Sequence, residues 1–102
     1  MEYKLIFHPD SHLDIHKALS RYEKINKELG IAFESELIKC YERIAANPLH
    51  YFVLHKRLKM RRVILKRFPY KIIFQVRKNN TIYILALMHQ QMKTNWRKRL
   101  LP

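Results

Sequence analysis

Residues 70–89 read YKIIFQVRKNNTIYILALMH, and this stretch decides the fold. From Tyr70 to Arg77 the side chains alternate, with Tyr70, Ile72, Phe74 and Val76 on one face, the period of a strand with a buried side. Asn79-Asn80 marks a tight hairpin turn, because asparagine tolerates the positive φ that such turns require. From Thr81 to Met88 the chain is almost wholly apolar, as expected of a central strand covered on both faces. His89 closes the strand. The expectation is therefore an antiparallel hairpin whose second strand is the middle of a sheet.

Working outward, Lys59 to Arg67 is rich in Val, Ile and Leu and reads as a further strand, reached through a loop near Leu49 to Lys56. Upstream the period changes. Ile15, Ala18, Leu19, Tyr22, Ile25 and Leu29 recur at helical spacing, and Phe33, Leu37, Tyr41, Ile44 and Ala45 repeat it. Ser11 with Asp14 fits a capping box for the first helix. Gly30 sits where a left-handed C-cap would end it, and Asn47-Pro48 stops the second helix. The short connection implies an antiparallel helical hairpin. Tyr3 to Phe7 reads as an N-terminal strand ended by Pro9, and Met92 to Leu101 as a short basic helix carrying Trp96. The expected fold is α+β in the order β-α-α-β-β-β-α: residues 1–102 as one domain, with a helical hairpin on a twisted, mostly antiparallel sheet.

Charge divides this chain more sharply than hydropathy does. All eight acidic residues lie in residues 1–50, the last being Glu42, and the remainder carries fourteen Lys and Arg with no acid; the net charge is +13. A functionless surface mixes signs, so a one-signed half implies a polyanionic partner. One cysteine, Cys40, excludes an internal disulfide and fits a reducing compartment. The longest apolar run, Ile82 to Met88, is far short of the roughly 20 residues of a membrane span, and no secretory signal opens the chain. The expected location is cytoplasmic. One glycine rules out a glycine-rich phosphate loop. His12 and His16 are spaced to share a helix face, with no third ligand evident, so neither a metal nor a cofactor is expected.

The strand ends carry the chemistry-bearing candidates. His89 emerges where a buried strand opens into a cleft, and histidine suits proton transfer near neutral pH. Simple alternation places Arg61, Arg67 and Lys71 on one face, able to stabilise phosphate charge, and Arg62 and Lys66 on the other. Tyr70 and Tyr83 are further proton-transfer candidates. Lys59, Arg62, Lys66, Lys93, Arg97 and Arg99 are candidates for gripping nucleic acid or an acidic protein partner.

Taken in order, Tyr22-Glu23, Phe33, Ile44, Asn47-Pro48, Arg62, Leu65, Arg67-Phe68-Pro69-Tyr70, Ala86, His89, Trp96 and Arg99 resemble the RelE/ParE superfamily of toxins from bacterial toxin–antitoxin systems, over essentially the whole chain. The resemblance implies the fold above and a cognate antitoxin that wraps the toxin. RelE-like members cut mRNA on the ribosome, whereas ParE-like members poison DNA gyrase. After His89 the family pattern His-x-Arg-Arg-x-Pro-x-x-Trp is replaced by His89-Gln90-Gln91-Met92-Lys93-Thr94-Asn95-Trp96, without the arginines and proline. In nuclease members, basic residues here help hold the scissile phosphate, so the departure weighs against cleavage. Lys93 is a partial substitute, a point charge without the arginine fork. Three readings stand: a ribosome-dependent endoribonuclease, a gyrase poison without chemistry of its own, and a plain nucleic-acid-binding module.

Overall fold

The structure is a computed structural model and describes residues 2–92 and 96–100. The chain runs β1 (Lys4–Phe7), α1 (Pro9–Ile25), α2 (Lys27–Ala46), a 3-10 turn (Pro48–His50), β2 (Phe52–His55), β3 (Met60–Ile64), β4 (Tyr70–Arg77), β5 (Thr81–His89) and a second 3-10 turn (Trp96–Leu100). The five strands form one sheet in the order β1-β5-β4-β3-β2. Strand β1 pairs parallel with β5, and the other pairings are antiparallel. The α+β expectation holds, with β5 buried inside the sheet.

Several local readings need correction. The segment read as a loop near Leu49 to Lys56 contains β2, a four-residue edge strand with an irregular register against β3. It is half exposed and has no alternating pattern, so its pairing rather than its side chains makes it a strand. Strand β3 is shorter than Lys59–Arg67, because Lys59 adopts φ 57° in the preceding turn and Leu65 to Pro69 form the connection to β4. Of the tail read as a basic helix from Met92 to Leu101, Trp96–Leu100 is 3-10 rather than α-helical, and residues 93–95 and 101 lie outside the described residues.

Helix α1 begins at Pro9, with His8 as N-cap accepting the Asp10 N–H on Nδ1 at 3.0 Å. Ser11 is buried one turn in and donates its hydroxyl to the His8 carbonyl at 2.6 Å. The break between helices is made by Asn26. Its N–H closes α1 on the Tyr22 carbonyl, and its Oδ1 accepts the Leu29 N–H at 2.7 Å to open α2. One asparagine thus satisfies orphan groups of both helices. Gly30 therefore lies inside α2, where a Cβ would come 2.6 Å from Glu23 Cγ; it lets the two helices approach closely.

Between the helices and the sheet, Ala18, Phe33, Leu37 and Ile44 bury against Ile72, Phe74, Ile82, Ile84 and Leu87. Phe33, Phe68, Tyr22 and Tyr70 form an aromatic cluster with centroids 4.9–6.2 Å apart. Its edge-to-face geometry adds to simple burial. On the far face a smaller core of Met60, Ile73, Leu85, Ala86 and Met88 is covered by Leu54, Leu58, Tyr83, Trp96 and Leu100. The turn at Asn79-Asn80 has φ of 60° and 53°, as the hairpin reading requires.

One irregularity matters for function. Along β4–β5, Phe74 pairs with Ile84 but Ile73 pairs with Ala86, so β5 carries one extra residue. This is a β-bulge at Leu85. Ile82 and Ile84 face the helices, Leu85 and Ala86 both face away, and Leu87 faces the helices again. The strand's phase is thereby inverted, and His89, paired with Tyr70, points to the helical side. Without the bulge, His89 would lie on the opposite face.

Candidate functional site

Beside the bulge a cleft of about 580 Å³ opens between α1 and the ends of β4 and β5. His89, Tyr70, Lys17, Arg21, Asp14 and Arg99 supply its polar lining. The His89 ring stands edge-on to the Tyr70 ring at 5.6 Å. His89 Nδ1 accepts the Gln91 N–H at 3.2 Å, so in the neutral ring the proton sits on Nε2. Tyr70 is buried, and its hydroxyl accepts a hydrogen bond from Arg21 at 3.2 Å. Lys17 and Arg21 are four apart on α1 and share a face.

The cleft's carboxylate is already occupied. Asp14 accepts two hydrogen bonds from Arg99, at 2.6 and 3.1 Å, and a third from the Leu87 N–H at 3.1 Å. Arg99 also donates to the Leu85 carbonyl at 3.0 Å. Strand β1 pairs with β5 only as far as Ile84. Beyond it, the ion pair of Asp14 and Arg99 takes up the Leu87 N–H and the Leu85 carbonyl of β5. The hydrogen bond to Asp14 raises the Arg99 pKa above its ordinary value, against the opposing effect of burial.

Of the six residues singled out for chemistry, this cleft unites two, His89 and Tyr70. The expected common face of Arg61, Arg67 and Lys71 is not realised. Arg61 pairs with Phe74 and points to the helical side, where it donates to the Leu49 and Tyr51 carbonyls at 3.3 and 2.7 Å and pins the 3-10 turn. Lys71 is opposite Ile64 and Met88 on the far side of the sheet, and its ammonium reaches the Gln90 carbonyl at 3.3 Å. Arg67 lies past the end of β3, where strand alternation no longer applies. Tyr83 is on the far face, under Arg77.

The binding candidates scatter similarly. Lys66 and Arg67, expected on opposite faces, line one groove with Lys39, Arg43 and Glu36. This second concavity, about 590 Å³, lies between α2 and β3 over an apolar floor that includes Tyr51 and Val63. Cys40 is buried there, and burial pushes its thiol pKa up. Arg62 stacks on the exposed Phe52 ring at 4.4 Å on the other face of the sheet. Lys59 is exposed in its turn, and Arg97 is exposed over Trp96. Arg99 belongs to the ion pair and is not a free surface cation. Lys93 lies outside the described residues. Among the described residues no three His, Cys, Asp or Glu side chains gather to hold a metal, and no helix is long and apolar enough to cross a membrane.

Lys17, Arg21 and Asp14 were missed from sequence. They lie in the half of the chain whose charges balance, and their i, i+4 and i, i+3 spacing is common on any solvated helix. Only the packing of α1 across the end of β5 gives them a role.

This architecture is that of the RelE-type toxins. It matches the free E. coli toxin RelE carrying two arginine-to-alanine changes with a TM-score of 0.60 at 15% identity, covering 99% of this chain and 100% of that one. The RelBE2 toxin–antitoxin complex of Mycobacterium tuberculosis matches with a TM-score of 0.58 at 17% identity, covering 87% of this chain and 99% of that one. At these identities the likeness shows the fold alone. A search of curated protein sequences finds no match. The family model of the ParE toxin of the type II toxin–antitoxin system parDE matches residues 5–94, and the chain belongs to this family. It is a type II toxin of the RelE/ParE superfamily, and the parDE system implies a cognate antitoxin.

Proposed function

We propose that this toxin arrests growth by binding, as a gyrase poison of the ParE kind, and not by cutting RNA. One observation carries the reading: the carboxylate of the cleft, Asp14, is bound by Arg99 and the Leu87 N–H. This leaves His89 as the cleft's proton-transfer group, with Tyr70 accepting from Arg21. Cleavage by an RNA 2′-hydroxyl needs a base on one side of the phosphate and an acid on the other. Family membership and the Gln90-Gln91 sequence that replaces the arginines support the same reading.

Induction in cells followed by separate readouts tests it. The expected result is accumulation of gyrase-linked DNA breaks and a DNA-damage response while protein synthesis continues at first, with toxicity surviving His89→Ala. Immediate loss of translation with intact supercoiling, and new mRNA ends that vanish in His89→Ala, would overturn it.

A second reading, ribosome-dependent mRNA cleavage, is favoured by the bulge that turns His89 into the cleft beside Tyr70. The same induction experiment decides between the two. In either case an antitoxin is expected to meet the basic groove formed by Lys39, Arg43, Lys66 and Arg67, where an acidic amphipathic segment matches both the rim and the apolar floor. A short reading frame of that character abutting this one would mark it.

A further inference from the structure

Three of the six histidines do the same work for the backbone. His8 accepts the Asp10 N–H on Nδ1 at 3.0 Å, His55 the Leu58 N–H at 3.1 Å, and His89 the Gln91 N–H at 3.2 Å. Each bond closes the end of an element: the first turn of α1, the turn from β2 to β3, and the exit of the chain from β5. Asparagine, aspartate or serine is the usual acceptor at such positions. Histidine replaces them only while its ring is neutral, because an imidazolium carries a proton on both nitrogens and has no acceptor left.

The surroundings hold each ring at its post. The His8 N–H donates to the Ile84 carbonyl at 2.9 Å, and Ser11 donates to the His8 carbonyl from its N–H at 2.9 Å and its hydroxyl at 2.6 Å. The His8 ring meets Tyr83 of β5 at 5.8 Å, and the same tyrosine carries the Arg77 guanidinium of β4 at 4.0 Å. Asp10, on the first turn of α1, lies 4.0 Å from Arg99. A positive charge at a helix N-terminus also opposes the helix dipole. His55 is flanked by Lys56, Arg57 and Lys59, and Gln75 of β4 holds the same turn through the Leu58 carbonyl at 3.0 Å. His89 shares its cleft with Lys17, Arg21 and Tyr70, and with Asp14 and Arg99, which pair with one another.

We infer that His8, His55 and His89 form an acid-sensitive device, in which protonation breaks all three bonds and loosens the start of α1, the β2–β3 turn and the segment after His89 together. The native chain keeps these rings neutral to hold the bonds, whereas in the unfolded chain histidine titrates freely at about 6.5. The unfolded state therefore takes up more protons, so the stability is present above that range and is lost as pH falls through it. Each acceptor is worth roughly three- to fivefold in the folding equilibrium. Loss of all three weakens folding about thirty- to hundredfold between roughly pH 7.5 and 5.0. His8 opens the helix that walls the cleft and His89 lies within it, so acid loosens the two sides of the cleft at once. The device is independent of the cellular target.

The test is urea unfolding of the purified chain at about pH 7.5 and 5.0, where histidine is respectively neutral and charged in the unfolded state. The unaltered chain is compared with two triple variants. His8→Asn/His55→Asn/His89→Asn supplies amide oxygens that accept the same N–H groups at either pH. His12→Asn/His16→Asn/His50→Asn removes three histidines elsewhere. Between the two pH values, the unaltered chain and the second variant should each lose about thirty- to hundredfold more of the folding constant than the first variant does. If the first variant does not fold, His8→Asn alone should recover roughly three- to fivefold. In the unaltered chain the amide resonances of Asp10, Leu58 and Gln91 should then shift in step with the imidazoles of His8, His55 and His89. An equal loss with acid in every protein, or amides that stay fixed while those imidazoles titrate, would overturn the proposal.

Discussion

Replacing Asp14 with alanine perturbs an ion pair that joins α1, the bulged strand β5 and the C-terminal turn. Asp14 accepts three hydrogen bonds, two from Arg99 and one from Leu87, and the two side chains are only 18% and 20% exposed. An exposed pair is worth about 0.2–1 kcal/mol, and breaking a fully buried one costs about 3–5 kcal/mol. The low exposure and bidentate geometry place this pair nearer the buried end, and truncation also leaves Leu87 N–H without its acceptor and removes both of Arg99's hydrogen bonds to the carboxylate. A loss of about 2–3 kcal/mol is expected. For a domain of this size about 4–8 °C of melting temperature accompanies each kcal/mol, so Tm should fall by roughly 10–20 °C. Asp14→Asn keeps an acceptor for Leu87 N–H and should lose about half as much. Thermal and urea unfolding of Asp14→Ala, Arg99→Ala and the double variant close a cycle, with an expected coupling of about 2 kcal/mol. Coupling below about 0.5 kcal/mol would show that the pair is an ordinary surface contact and that the bulge does not depend on it.

Gly30→Ala should destabilise by about 1 kcal/mol, because the new Cβ meets Glu23 Cγ; in a Glu23→Ala background the same change should stabilise by up to about 1 kcal/mol through helix propensity, both read by urea denaturation. Cys40, whose thiol pKa is raised first by burial and then by Glu36, should react with a thiol reagent at least tenfold more slowly in the native protein than in denaturant. Stability that depends on its neutral thiol is present below the ordinary thiol pKa and is lost as pH rises through the raised native value, so Cys40→Ala should flatten the alkaline limb of a stability–pH curve. The grip on RNA should fall about 10³–10⁵-fold between roughly 50 and 200 mM salt if six to ten phosphates are contacted, whereas the antitoxin complex, with an apolar component in the groove of Tyr51 and Val63, should weaken far less. Equal salt slopes for the two complexes would rule out that apolar component.

The sequence by itself determined the β4–β5 hairpin, the helical pair, the α+β class and the separation of charge. Each of these is set by near neighbours: a period of two from Tyr70 to Val76, asparagines at the two positions of positive φ, apolar residues at helical spacing, and an absence of acid after Glu42. Only the tertiary structure decided the site. The bulge at Leu85 turns His89 toward the helices, but Leu85 and Ala86 are as apolar as their neighbours and carry no signal of it. Separately, alternation carried across the connection from Leu65 to Pro69 misassigned Lys71 to the face of Arg61. Nor does any local pattern pair Asp14 with Arg99, or set Arg21 against Tyr70, across separations of 85 and 49 residues. Periodicity records which side of an element is buried. The phase of a strand beyond a bulge, and the partner of a charge on a distant helix, depend on backbone hydrogen bonds and packing that exist only once the chain has closed on itself.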